Sequence, residues 1–141
     1  MRDEHTVICS PAMFELIAPD ASAVPVKVDL TYDSRDPYAV QASFRTGNDT
    51  AVDWVFARDL LHEGLVGSAG AGDVRVAPVT GAGRVSLELS SPSGHAVFST
   101  CAQTLGEFLR RTYNAVPPGS EYNWLDFDLA LSDLLNDPAR D

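Results

Sequence analysis

A chain of 141 residues is expected to form one domain, long enough to bury a core without disulfide or metal staples. Hydrophobic residues at 45% and charged residues at 21% are ordinary for a soluble globular protein, and no apolar run reaches the roughly 18 residues that cross a bilayer. The net charge of −10, with Lys27 the sole lysine and the arginines scattered apart from Arg110-Arg111, disfavours a nucleic-acid partner, because a grip on phosphates needs clustered cations. Half of that net charge lies beyond Ser120, where six acids face Arg140 alone, and solubility explains it better than a dedicated acidic docking patch. Asp3, Glu4 and His5 near the start do not make a signal peptide, so a cytoplasmic location is expected.

In chain order, Thr6 to Ile17 reads as a strand, with Pro11 suggesting an edge position or a bulge. Val24, Val26, Val28, Leu30 and Tyr32 alternate without a fault and form the clearest strand. Tyr38, Val40, Ala42 and Phe44 form the core row of a strand opened by Pro37; a turn at Gly47-Asn48-Asp49 returns the chain through Val52, Trp54 and Phe56, also on the core row. A short helix follows, with Ala57, Leu60, Leu61 and Leu65 on its apolar side and Arg58, Asp59, His62 and Glu63 facing away.

Gly67 to Gly72 reads as a flexible linker, and three strands follow it: Asp73 to Val79, Arg84 to Ser90 and His95 to Thr100. The turns Thr80-Gly81-Ala82-Gly83 and Ser91-Pro92-Ser93-Gly94 make them an antiparallel meander, with Val85, Leu87 and Leu89 facing in. The period then changes. Thr100-Cys101-Ala102-Gln103 has the spacing of a capping box, and Ala102, Leu105, Phe108 and Leu109 form a helical stripe. Glu107 stands where it can pair with Arg110 and Arg111. Pro117-Pro118-Gly119 ends that helix in a rigid turn, with Gly119 expected at positive φ. A last helix is expected to carry Phe127, Leu131, Leu134 and Leu135 on one face. The sum is an α+β domain of about seven mainly antiparallel strands and three helices.

Tests for chemistry come out weak. Cys9 and Cys101 are too isolated for a disulfide framework or a zinc site and read as two small buried hydrophobes. His5, His62 and His95 stand in no HExxH or Cys/His pattern, so surface or satisfied histidines are expected. Asp33 and Asp36 bracket a turn whose carboxylates accept backbone N–H groups more readily than they bind a metal. The Gly67 to Gly72 loop follows a helix and lacks the lysine of a phosphate cradle, and no serine sits in GxSxG. Trp54 with Phe56, and Tyr38 with Phe44, are suited to stacking on bases, but their place on the core row favours packing. No cofactor is expected, and the protein is read as not an enzyme.

DPYAVQASF at 36 to 44, VDWVFARDLLHEGL at 52 to 65, GDVRV at 72 to 76, LSSPSG at 89 to 94 and FLRRTYNAVPPGSE at 108 to 121 together resemble the SsgA-like proteins of sporulating actinobacteria. Within that family the WVFARDLL, VPPG and opening TVICS segments resemble the SsgB type. The resemblance implies a single domain over 1–141 with a bell-like, Whirly-like fold, often trimeric. It also implies a non-enzymatic role in sporulation-specific cell division at the septum, acting with an SsgA-type partner to position the division protein FtsZ. Kinship with single-stranded nucleic-acid binders does not carry their function onto an acidic surface. A nucleic-acid or nucleoid-associated binder, and a regulator of cell-wall hydrolysis, are the alternatives. The candidate partner-binding residues are Arg58, His62 and Glu63 on the short helix, with Pro117, Pro118 and Gly119 in the turn.

Overall fold

The computed structural model describes residues 6–45 and 50–119. Seven strands run in the order β1 (Val7–Ile17), β2 (Ala23–Asp33), β3 (Ala39–Arg45), β4 (Ala51–Ala57), β5 (Val74–Val79), β6 (Arg84–Ser91) and β7 (Gly94–Cys101). Helix α1 (Arg58–Glu63) follows β4, and α2 (Ala102–Ala115) follows β7. The strands make one sheet in the spatial order β4-β3-β2-β1-β7-β6-β5, antiparallel at every step. The mainly antiparallel sheet expected from the alternations is therefore present, as are the middle helix and the first of the two C-terminal ones. The expected third helix, the Gly47-Asn48-Asp49 turn, His5 and the acidic tail lie outside the described residues.

β1 joins two sub-sheets. It pairs with β2 along its whole length, but with β7 only over Phe14 to Ile17 against Val97 to Thr100. Among the described residues its first half is thus a local edge, which is where Pro11 sits: a residue without an N–H is tolerated where no second strand pairs. Core residues come from one face of the sheet and from both helices: Phe14, Val28, Leu30, Val40, Phe44 and Phe56 meet Leu61 of α1 and Leu105, Phe108 and Leu109 of α2. Phe14 meets Phe44 edge-on at 5.7 Å, a favoured geometry for aromatic pairs. Where Phe14, Phe56, Leu61, Val85 and Leu105 converge, the residual void is about 10 Å³, at the lower limit for holding a water.

Several expectations change. Tyr38 is in the turn before β3, not on its core row; its carbonyl accepts the Arg58 N–H and its side chain is 42% exposed. Val52 is 48% exposed, because the two sub-sheets diverge at that end and leave a cleft of about 270 Å³ between Phe44, Val52 and Trp54 on one side and Leu89 and Phe98 on the other. Trp54 is half-buried and stacks on Phe56 at 6.3 Å. Cys9 is exposed and Cys101 only partly covered, so neither is a buried hydrophobe.

The Gly67 to Gly72 segment is not a linker: Ala69 exchanges both backbone hydrogen bonds with Val76, at 2.8 and 2.9 Å, and covers the edge of β5. The capping box does not close. Thr100 Oγ1 donates instead to the Met13 carbonyl at 3.1 Å, so Cys101 becomes the N-cap of α2 and Gln103 reaches Glu107. The Asp33 turn does behave as expected, its carboxylate accepting the Arg35 N–H at 2.9 Å. Val85, Leu87 and Leu89 face the core as the alternation requires.

Candidate partner-binding surface

A six-residue helix such as α1 is too short to hold itself together in water. Four attachments hold it. β4 runs into it at Ala57 without a loop, the Arg58 N–H donates to Tyr38 O at 2.7 Å, Leu61 enters the core, and Gly64 lies against Val76. At Gly64 a Cβ would stand 2.2 Å from Val76 Cγ1, so only glycine permits the approach.

Arg58 makes the fifth attachment and is the main correction to the site. Expected on the exposed face, it is fully buried. Its Nη1 donates to the carbonyls of Thr112 at 3.1 Å and Val116 at 2.8 Å, the last turn of α2. A cation there supplements the Val116 N–H on Thr112 O, donates to the Val116 carbonyl beyond the last helical residue, and lies at the negative end of the helix dipole. The guanidinium carbon lies 4.1 Å from the centre of the Tyr113 ring and 5.0 Å from that of Tyr32. Tyr32 in turn donates its hydroxyl to Pro37 O at 2.9 Å. Arg58 therefore welds α1 to the end of α2 and to β2; it is not a contact residue for a partner. Its place was legible: position 58 shares one helical face with Leu61 and Leu65, and the charge hid the period.

His62 and Glu63 are exposed, as expected. His62 packs edge-on against Tyr113 at 5.4 Å, and the Tyr113 hydroxyl donates to Asp59 at 2.9 Å. Pro117, Pro118 and Gly119 are all exposed, and Gly119 has φ of +87°, the left-handed conformation expected after two prolines.

One residue from each candidate surface, His62 and Pro118, lines the same groove. A groove of about 390 Å³ runs between Asp59 and His62 of α1, with Leu65 in the turn after it, and Arg110 and Tyr113 of α2, and Pro118 closes its end. Gly106 lies on the α2 wall, where a Cβ would meet Leu65 only at an ordinary 3.8 Å. Tyr113, Asp59, Arg110 and Gly106 were not picked out from sequence. The signal was the α2 stripe, which continues from Leu109 to Thr112, Tyr113 and Val116 at helical spacing.

The arrangement offers contacts rather than chemistry. The groove carries charges of both signs around apolar walls, and its one imidazole meets an aromatic ring. Among the described residues no group of three or more His, Cys, Asp or Glu comes together to hold a metal ion, and no helix is long and apolar enough to cross a membrane. Cys101 stands at the N-terminus of α2, away from the groove: no side-chain cap bond closes there, yet the N–H and hydroxyl of Thr104 beside the sulfur hold the thiol below its ordinary range.

The family model described as "Streptomyces sporulation and cell division protein, SsgA" matches residues 26–121. The sporulation-specific cell division protein SsgB of Saccharopolyspora erythraea is 56% identical over 96% of each chain. The SsgB of Streptomyces coelicolor is 47% identical over 93% of this chain and 97% of its own. Among solved structures, an SsgA-like sporulation-specific cell division protein from Thermobifida fusca superposes with a TM-score of 0.84 at 40% identity, covering 92% of this chain and 96% of that one. A solved chain from work on SsgB mutations that correlate with longitudinal cell division during sporulation of Streptomyces coelicolor gives 0.81 at 46% identity, covering 85% and 96%. With the family model spanning β2 to the end of α2, and SsgB-type relatives matched along nearly the whole length, this chain belongs to the SsgA-like family of sporulation and cell division proteins.

Proposed function

We propose that the protein is a non-enzymatic scaffold of sporulation-specific cell division that helps localise FtsZ at septum sites together with an SsgA-type partner. The carrying observation is the match, at 56% and 47% identity over nearly the full chain, to proteins named for sporulation-specific cell division. The groove between α1 and α2 supports the reading as a rigid surface shaped for a protein partner: its walls are fixed to each other through Arg58 and not left to independent motion. His62 and Pro118 line the groove and Glu63 is exposed beside His62 on α1, whereas Arg58 holds their frame. A homo-oligomer such as a trimer would repeat this surface and multiply weak contacts into avidity. The Whirly-like character of the sheet belongs to the same reading, with protein rather than nucleic acid as the ligand of an acidic surface.

The test is a pull-down of purified FtsZ and of an SsgA-type protein by this chain, with an established SsgB as positive control. Capture that is lost on Glu63→Arg or His62→Glu without change in melting temperature supports the proposal. Failure to capture either protein while the control succeeds overturns it.

A further inference from the structure

The sheet ends in two edges, and they are treated differently. On β5 the outward backbone groups belong to Val74, Val76 and Pro78, because Val76 spends its N–H and C=O on Ala69 at 2.9 and 2.8 Å, away from β6. Each of the three residues carries an obstacle to pairing. Val76 is bonded to Ala69, Pro78 has no N–H, and Gly70 comes so close to Val74 O that a Cβ there would stand 2.3 Å from it. These are the devices by which natural sheets prevent an edge from pairing again.

β4 carries none of them. The Arg58 N–H bonds to Tyr38 O, which makes 38 and 58 a hydrogen-bonded pair and fixes the phase of the β3–β4 ladder. Phe56, Trp54 and Val52 then spend their backbone groups on β3, while Ala51, Asp53, Val55 and Ala57 turn theirs outward. All four are exposed, three are apolar, Val55 is 62% exposed, and none is proline or lysine. Among the described residues no strand pairs with this side of β4. Beside the same strand, the cleft of about 270 Å³ opens at Val52 and Trp54.

We propose that the outer edge of β4 is a strand-addition site for an extended segment of a partner protein. Such a segment continues the ladder through Ala51, Asp53, Val55 and Ala57 and alternates in side chain, apolar or aromatic residues beside the Val52–Trp54 cleft and basic residues on the opposite face. Charge selects the occupant. Asp53 is the only charge on β4, and Asp59 and Glu63 follow on α1, so this edge attracts a basic strand and disfavours pairing with the same acidic edge of a second copy. This site is separate from the groove between α1 and α2 and does not depend on its reading.

The experiment titrates the full ¹⁵N-labelled chain with a panel of capped seven-residue peptides of alternating pattern, such as Lys-Val-Thr-Phe-Lys-Val-Thr, and with the same peptides N-methylated at alternate residues. The expected result is shift and exchange protection of the Asp53, Val55 and Ala57 amides by unmodified peptides, with binding weakened about tenfold or more by methylation, the equivalent of one typical hydrogen bond. Val55→Pro removes an outward N–H that β3 does not use and is expected to abolish the protection; Val55→Lys, which leaves the backbone intact, is expected to repel the basic peptides. Absence of any effect at these amides across the panel, or equal binding by methylated peptides, overturns the proposal. Protection that grows with protein concentration alone, accompanied by a doubled mass, assigns the edge to a second copy and overturns it too.

Discussion

Replacing Arg58 is the most informative perturbation of the fold. In Arg58→Met the stem is kept and the guanidinium lost, leaving Val116 O and Thr112 O without their charged donor and two tyrosine rings without the cation between them. Hydrogen bonds from charged groups are worth about 1.5–3 kcal/mol each and a desolvated cation–π contact about 1–2 kcal/mol. Against this stands the relief of no longer burying a charge, several kcal/mol on its own. Thr112 O keeps the Val116 N–H at 2.8 Å, so only Val116 O loses its described donor. The net expectation is a loss of about 2 kcal/mol for Arg58→Met and about 4 kcal/mol for Arg58→Ala, which adds a cavity. For a domain of this size that is a fall in melting temperature of roughly 8 and 15 °C, readable by calorimetry. Hydrogen exchange should place the damage at the end of α2 and in α1. An Arg58→Met protein within about 0.5 kcal/mol of the parent, with α2 exchange unchanged, would refute the idea that the guanidinium joins the two helices.

Gly64→Ala has an allowed φ of −68° but drives a methyl into Val76, so it should cost about 2–3 kcal/mol, and Val76→Ala in the same chain should recover part of that; additive losses in a denaturation cycle would contradict the contact. Gly119 at φ +87° faces open space, so Gly119→Asn should melt about 1 kcal/mol above Gly119→Val, and equal melting temperatures would show that the conformation is not required. Cys101, held toward its thiolate by Thr104, should react with iodoacetamide in a Cys9→Ser background with a midpoint below the ordinary thiol pH of about 8.5. Because that thiol is lowered in the folded state, its contribution to stability is present above the unfolded pKa and disappears as pH falls through the folded value. A midpoint at or above the ordinary value would remove the assignment.

Period explains what the sequence shows. Faultless alternation in β2 and β6, and the helical stripe of α2, place Val28, Leu30, Val85, Leu87, Leu105 and Phe108 in the core without any knowledge of neighbours. Three kinds of residue escape it. Tyr38 lies in the turn before β3, and Val52 lies near the start of β4, where burial depends on whether the opposite sub-sheet reaches it. Arg58 sits on a core-facing position whose charge points the other way until the carbonyls of Thr112 and Val116, more than fifty residues off, are known to await it. Ala69 and Gly70 form a structured loop only because β5 offers an edge to cover. The site was half legible for the same reason: His62, Glu63 and the proline turn read as exposed locally, while the groove that joins His62 to Pro118 is set by the crossing of α1 and α2.

The central claim is that the exposed face of α1, with the Pro117–Gly119 turn, touches a division partner. Its most direct measurement is the affinity of the purified chain for FtsZ and for an SsgA-type protein, compared with that of a Glu63→Arg, Pro118→Asp double variant of unchanged melting temperature. Binding to at least one of the two that falls by about tenfold or more in the variant is the predicted result. Equal affinity of parent and variant, or no binding by the parent where an established SsgB binds, would contradict it.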